Sequence, residues 1–134
     1  ATTEIYTLSL HDALPISKVM SDKSPWLMKV NTGDVFSVCA SHGEGRFVCD
    51  DEIIHKLIEN GQVATCYVND KDELTMDGEW NVNGSDYCIE GITSPDGRVF
   101  GKMCHSERIS DGIMKNIYGK KDMKLFLAGV EYFK

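Results

Sequence analysis

No stretch of this chain approaches the roughly 20 consecutive apolar residues that cross a bilayer, so no spanning helix and no membrane partner are expected. Basic residues are scarce: 14 Lys and Arg stand against 21 Asp and Glu, a formal net charge of −7. No basic patch suits nucleic-acid phosphates, so no nucleic-acid partner is expected. There is no Cys-x-x-Cys pair. The five cysteines (Cys39, Cys49, Cys66, Cys88, Cys104) are odd in number and widely spaced, and three lie in apolar or strand-like runs. That pattern fits free thiols in a reducing cytoplasm better than a disulfide framework. Cys39 and His42 form an isolated Cys-x-x-His, and no metal site is expected. Internal repeats and low-complexity tracts are absent as well. What remains is an acidic, soluble object of single-domain size.

The opening residues stand apart. Ala1 to Ile16 match, without a break, the translation of a common short-read sequencing adapter. Its last codons, CAC GAC GCT CTT CCG ATC, give His-Asp-Ala-Leu-Pro-Ile. We therefore expect residues 1–16 to be an artefact, and exclude His11 and Asp12 from any site. The segment holds Glu4 and Asp12 and no basic residue, leaving −5 of the −7 for the rest. No initiating Met stands at Ser17 or Lys18, so residues 17–134 are expected to be part of a longer reading frame truncated at its N-terminus.

Organisation follows from periodicity and punctuation. Ser24 to Val30 reads as an irregular entry segment with Trp26 as a packing anchor. Gly33-Asp34 signals a turn before a buried strand from Val35 to Ala40. Ser41-His42-Gly43-Glu44-Gly45 breaks that strand, and Arg46 to Cys49 is extended again. Asp50 or Asp51 can cap a helix whose apolar face is Ile53, Ile54, Leu57 and Ile58, with Gly61 as its stop. Gln62 to Val68 is a second buried strand, followed by a polar, acidic connection from Asn69 to Gly78. Tyr87 to Thr93 and Arg98 to Cys104 flank Ser94-Pro95-Asp96-Gly97, whose residues have hairpin chemistry. Met123, Leu125, Phe126, Leu127, Val130 and Phe133 mark a short amphipathic helix. Strands alternating with helices point to an α/β sheet with an antiparallel hairpin near its end.

Chemistry concentrates just after that hairpin. In an extended segment, residues two apart project to the same side. His105 and Glu107 can thus stand together where a strand ends, with the carboxylate orienting the imidazole. This is the base-plus-orienter part of a nucleophilic triad. Cys104 adjoins the histidine, but neighbours on a strand face opposite ways. Arg46 is read first as the partner of a local carboxylate.

The ordered motifs His42-Gly43-Glu44-Gly45-Arg46-Phe47, Asn83-Gly84-Ser85, Ile89 to Met103 and His105-Ser106-Glu107-Arg108 together carry a resemblance. From about Ser24 to Lys134 the chain resembles the glutaminase domain of phosphoribosylformylglycinamidine synthases, class I glutamine amidotransferases of purine biosynthesis. The resemblance is closest to the long single-chain bacterial form, in which that domain lies at the C-terminus. It implies the C-terminal portion of a flavodoxin-like α/β domain, with a mixed sheet and a β-hairpin and truncated at the N-terminus. It also implies catalytic residues at strand C-terminal ends.

In such domains a cysteine on a strand-to-helix elbow attacks the side-chain amide of glutamine. A histidine activates the cysteine and protonates the departing ammonia, and a glutamate two residues later orients the histidine. The resemblance assigns those last two roles to His105 and Glu107. It makes Ser41, His42, Gly43 and Glu44 candidates for binding glutamine, largely through backbone groups, since glycine permits close approach. His42 has an equal alternative as a structural hydrogen-bonding residue of its turn. The partners implied are glutamine and a synthetase domain of the same chain. That domain would use ATP and Mg to turn formylglycinamide ribonucleotide into its amidine. No cofactor is implied within this chain.

Two positions and one absence depart from the pattern. Ser106 stands where a proline is common, and Val82 replaces another proline before Asn83-Gly84-Ser85. No segment matches the Gly-x-Cys-Asn-Gly-x-Gln nucleophile elbow, whose next residue also supplies an oxyanion-hole N–H. On this reading the chain alone is expected to be inactive. Two further functional classes compete. One is a non-catalytic interaction or regulatory domain derived from the same fold. The other is a self-contained cysteine hydrolase using Cys39 or Cys104. An incomplete domain is also expected to leave a sheet edge and apolar surface exposed.

Overall fold

Short apolar runs separated by turn signals assemble into a five-stranded sheet flanked by helices. The computed structural model describes residues 15–41, 45–110, 112 and 114–134. Strands β1 (Ile16–Val19), β2 (Val35–Ser37), β3 (Val63–Val68), β4 (Ile89–Thr93) and β5 (Phe100–Lys102) form one sheet in the order β2-β1-β3-β4-β5. Helix α1 (Asp51–Glu59) precedes β3, and helix α2 (Leu125–Tyr132) follows the long loop after β5.

Every described strand pairing is antiparallel, where the sequence points to a mixed sheet. The reason is β1, a strand not evident from the sequence pattern. It pairs antiparallel with both β2 and β3, so those two run in the same direction, as a strand-helix-strand unit requires, but are held apart. β1 begins at Ile16, the last residue of the adapter-like segment, and the Pro15 carbonyl accepts from the Val38 N–H at 3.1 Å. Residues 1–14 of that segment lie outside the described residues.

The other expected elements form, with shifted bounds. All six residues of β3 are buried, which explains its continuous apolar character. Asp50 is the N-cap of α1 without a capping side-chain bond, while Asp51 and Glu52 place negative charge in its first turn. The α1 face is only partly covered, since Ile54 is buried but Ile53 and Ile58 are exposed. The hairpin turn closes by Gly97 N–H to Ser94 O (2.9 Å) and Ser94 N–H to Val99 O (2.9 Å). Gly97 has φ +74, and a Cβ there would come within 2.8 Å of the Lys23 carbonyl, so this turn requires glycine.

Trp26 behaves as the expected anchor. Its indole N–H donates to Arg98 O at 2.8 Å, and its ring lies against Gly129, where a Cβ would run into it. Leu125, Ala128 and Gly129 thereby seat α2 against the core, which Leu27, Phe36, Ile54, Tyr67, Ile89 and Met123 fill. The outer side of the α2 segment is also apolar. Phe126, Leu127, Val130, Tyr132 and Phe133 are exposed, in keeping with the uncovered apolar surface anticipated from the sequence.

Candidate active site

The two edge strands, β2 and β5, approach each other beyond their C-terminal ends. An antiparallel bridge joins Cys39, two residues past β2, to His105, three residues past β5. The His105 N–H donates to the Cys39 carbonyl at 2.8 Å. The sheet therefore curls so that one main-chain bond ties its edges together at the histidine.

His105 and Glu107 meet, as expected, but across a turn at Ser106 and not along an extended strand. Nδ1 of His105 lies 2.5 Å from Oε1 of Glu107, and both side chains are partly open to solvent. Glu107's own backbone N–H, and then the His105 ring, hold its carboxyl below the usual carboxylate range. With Nδ1 engaged, Nε2 is left as the ring nitrogen for proton transfer. An open pocket of about 420 Å³ adjoins the pair, lined by Trp26, Phe100, Met103 and Phe126 among others.

Ser41 belongs to the same neighbourhood: Arg108 Nη1 donates to its Oγ at 2.5 Å, across 67 residues of sequence. His42, Gly43 and Glu44 lie outside the described residues, so the proposed backbone cradle for glutamine has Ser41 as its described member. On the far side of that segment, Phe47 docks onto the Asn83-Gly84-Ser85 loop. Its N–H donates to Ser85 Oγ at 3.0 Å, and its carbonyl accepts from Asp86 N–H at 2.9 Å. Two of the sequence motifs are thus brought together. Arg46 pairs with Asp86 at 3.7 Å, the local and largely exposed ion pair expected of it.

Cys104 points away from the histidine into the core, as strand alternation requires. Its thiol lies 3.7 Å from the Tyr67 hydroxyl, and burial, then the neighbouring Glu90 charge, push its pKa up. A buried thiol held protonated is a poor nucleophile, which counts against Cys104 as a replacement for the missing elbow cysteine. Among the described residues, no group of three or more His, Cys, Asp or Glu side chains is placed to hold a metal ion.

One feature of the site escaped sequence reasoning: a charged pair beneath the histidine. Glu90 on β4 is buried, yet Lys102 on β5 reaches its Oε1 at 2.9 Å. Ser17 and Thr65 donate to Oε2 at 3.0 and 2.5 Å, and the Cys104 N–H donates to Oε1 at 2.8 Å. Burial pushes the Glu90 carboxyl up, but Lys102 and these hydrogen bonds outweigh it and leave the group below its ordinary value. The signal was a lone glutamate inside the run Ile89 to Thr93; Lys102 stands opposite Gly91 in the register and reaches Glu90 with its long side chain.

A curled sheet that brings a histidine and a glutamate together beyond its strand ends fits an amidotransferase domain. The chain belongs to the CobB/CobQ-like glutamine amidotransferase domain family, whose match covers residues 11–133. It is 37% identical over 98 residues to the phosphoribosylformylglycinamidine synthase subunit PurQ of Synechocystis sp., covering 73% of this chain and 43% of that protein. To the PurQ subunit of Trichormus variabilis it is 36% identical over 120 residues, 90% of this chain and 47% of the relative. Among solved structures, PurLQS from Thermotoga maritima matches with a TM-score of 0.61 and 27% identity, over 90% of this chain and 47% of that one. The chain thus spans under half the length of these relatives. The resemblance to the glutaminase of phosphoribosylformylglycinamidine synthases is borne out, and so is the α/β amidotransferase fold. The relatives are separate PurQ subunits, whereas the sequence motifs resemble the single-chain form most closely.

Proposed function

We propose that this chain forms the base-bearing half of a glutaminase site that feeds ammonia to phosphoribosylformylglycinamidine synthase. The observation that carries the reading is the His105–Glu107 pair, joined at 2.5 Å beside an open pocket at the strand ends. His105 takes the proton of a cysteine thiol as it attacks the side-chain amide of glutamine, then donates it to the departing ammonia. Glu107 fixes the ring and stabilises its charged form. Ser41 and the segment after it bind the amino-acid end of glutamine. The nucleophile and the remaining oxyanion donor come from parts of the protein outside this sequence, so the 134-residue chain alone does not turn over glutamine.

The released ammonia passes to a synthetase portion, as a domain of the same chain or as a separate subunit. There ATP and Mg drive amidine formation on formylglycinamide ribonucleotide, and the assembly works in the cytoplasm. One feature supports this reading: the PurQ relatives are named as subunits of that synthase. A non-catalytic domain derived from the fold is disfavoured by the joined His105–Glu107 pair, which serves no such role.

The test uses the intact protein that carries this chain. Amidine formation is measured with glutamine and, separately, with ammonium salt as nitrogen donor. His105→Ala is expected to abolish the glutamine-supported reaction and spare the ammonia-supported one. Equal loss of both, or of neither, would contradict the reading.

A further inference from the structure

The main chain entering His105 is held by side chains as well as by strand pairing. Met103 N–H donates to the Glu90 carbonyl at 2.9 Å, continuing the β4–β5 ladder. The next N–H, that of Cys104, donates to the Glu90 carboxylate at 2.8 Å instead of to a main-chain acceptor. The Cys104 carbonyl accepts from Lys102 Nζ at 3.2 Å, and the His105 N–H is taken by Cys39 O at 2.8 Å. Both poles of the peptide unit that leads into the histidine are therefore fixed, one of them by the partly buried Lys102 ammonium group.

We infer that Glu90 and Lys102 are positioning residues for His105: a buried ion pair that clamps the Cys104 peptide and so sets where the imidazole stands. The inference rests on the glutaminase reading for its catalytic consequence, but the clamp itself does not. The carboxylate is spanned by four donors from three strands and the segment after β5, so it has little freedom to move. A group held this tightly transmits its position to what it binds. The clamp also completes the geometry that Glu107 begins: Glu107 sets the rotation of the ring, while Glu90 and Lys102 set the origin of the side chain. The titratable groups nearest the pair are the Tyr67 hydroxyl and the Cys104 thiol, the pKa of both raised by burial first and by the Glu90 charge among other causes, and the Cys66 thiol, raised first by its bond to Cys88. They stay neutral near pH 7, leaving Lys102 as the charged partner of Glu90.

The experiment measures glutamine hydrolysis and amide hydrogen exchange together on the intact protein. Misplacing a catalytic group by about 1 Å can cost on the order of 100-fold in rate. Glu90→Ala is therefore expected to lower kcat about 10- to 100-fold, with KM for glutamine within about threefold. Exchange at the Cys104 and His105 amides should speed at least about tenfold, while amides in β3 keep their protection. Glu90→Gln, which still offers Oε1 to the Cys104 N–H, should restore most of the lost kcat. If Glu90→Ala does not fold, the double variant Glu90→Gln with Lys102→Met leaves no unpaired buried charge. It frees the Cys104 carbonyl, and kcat should fall about 3- to 10-fold with the same local exchange signature. Unchanged exchange at Cys104 and His105 in a folded variant would overturn the clamp. So would loss of protection spread evenly over the sheet. Retained turnover in His105→Ala would instead overturn the glutaminase reading and leave the exchange result to judge the clamp alone.

Discussion

Oε1 of Glu107 lies 2.5 Å from Nδ1 of His105, although the chain turns between them at Ser106. Ser106 is buried, with its hydroxyl 3.4 Å from the Met123 sulfur, so the turn is anchored inward while both functional side chains face outward. Replacing Glu107 by Gln keeps the shape but removes the charge that stabilises an imidazolium. In the proposed glutaminase, Glu107→Gln is expected to lower kcat by about 10²- to 10⁴-fold with KM little changed. Steady-state glutamate release by the intact protein checks this, and a loss below about threefold would remove Glu107 from the mechanism.

Acid sensitivity should carry the mark of Glu90. Its folded pKa is depressed, chiefly because Lys102 and the surrounding donors overcome the opposing effect of burial. Such a group binds its proton less readily when folded than when unfolded. Its contribution to stability is therefore fully present above about pH 4.3 and is lost as pH falls through the lower folded value. Denaturation curves collected from pH 7 down to pH 3 should show this loss, and Glu90→Gln should remove that component. At neutral pH, Glu90→Ala strands Lys102 and is expected to cost about 3–5 kcal/mol.

Ser41 offers a gentler probe. Its hydroxyl is joined to Arg108 at 2.5 Å, and the bond links the proposed glutamine-binding segment to the loop that carries the His105–Glu107 pair. A single hydrogen bond of this kind is worth about 0.5–1.5 kcal/mol. Ser41→Ala is accordingly expected to raise KM for glutamine by up to about tenfold and leave kcat within about twofold. A selective drop in kcat would mean that the Arg108 link aligns the base rather than the substrate.

The seat of α2 on Trp26 predicts a steric effect far from the chemistry. The Trp26 ring occupies the space in which a side chain at Gly129 would stand. Gly129→Ala should gain helix propensity but overpack this contact, and the second effect is larger, about 1–3 kcal/mol against about 1. A lowered denaturation midpoint with an unchanged m-value is expected in urea titration.

How far the sequence revealed these relationships depends on their range. His105 and Glu107 were legible because a spacing of two keeps both side chains within reach, although a turn at Ser106, not the extended backbone expected, brings them together. Helix α1 and strand β3 were legible because Ile54, Leu57 and the run Val63 to Val68 carry their burial in their own periodicity. Strand β1 was not. Ile16 to Val19 is short, half polar, and placed between two strands that follow it in sequence. Ser17 in that strand is buried only because Glu90, 73 residues on, accepts its hydroxyl. Likewise nothing local to Ser41 signals Arg108, and a glutamate in a strand ordinarily reads as outward-facing until its lysine is found across the hairpin. The mixed sheet expected from alternating strands and helices became antiparallel for the same reason: the separating strand was the one not seen.

Glutamate release from glutamine by the intact protein tests most directly whether His105 serves as the base of a glutaminase. Wild type and His105→Ala would be compared at saturating glutamine, with the synthetase reaction supported by ammonium salt as a check on folding. His105→Ala is expected to lose at least about 10³-fold in kcat for glutamine while the ammonia-supported reaction persists. Glutamate release within about tenfold of wild type in that variant would contradict that role.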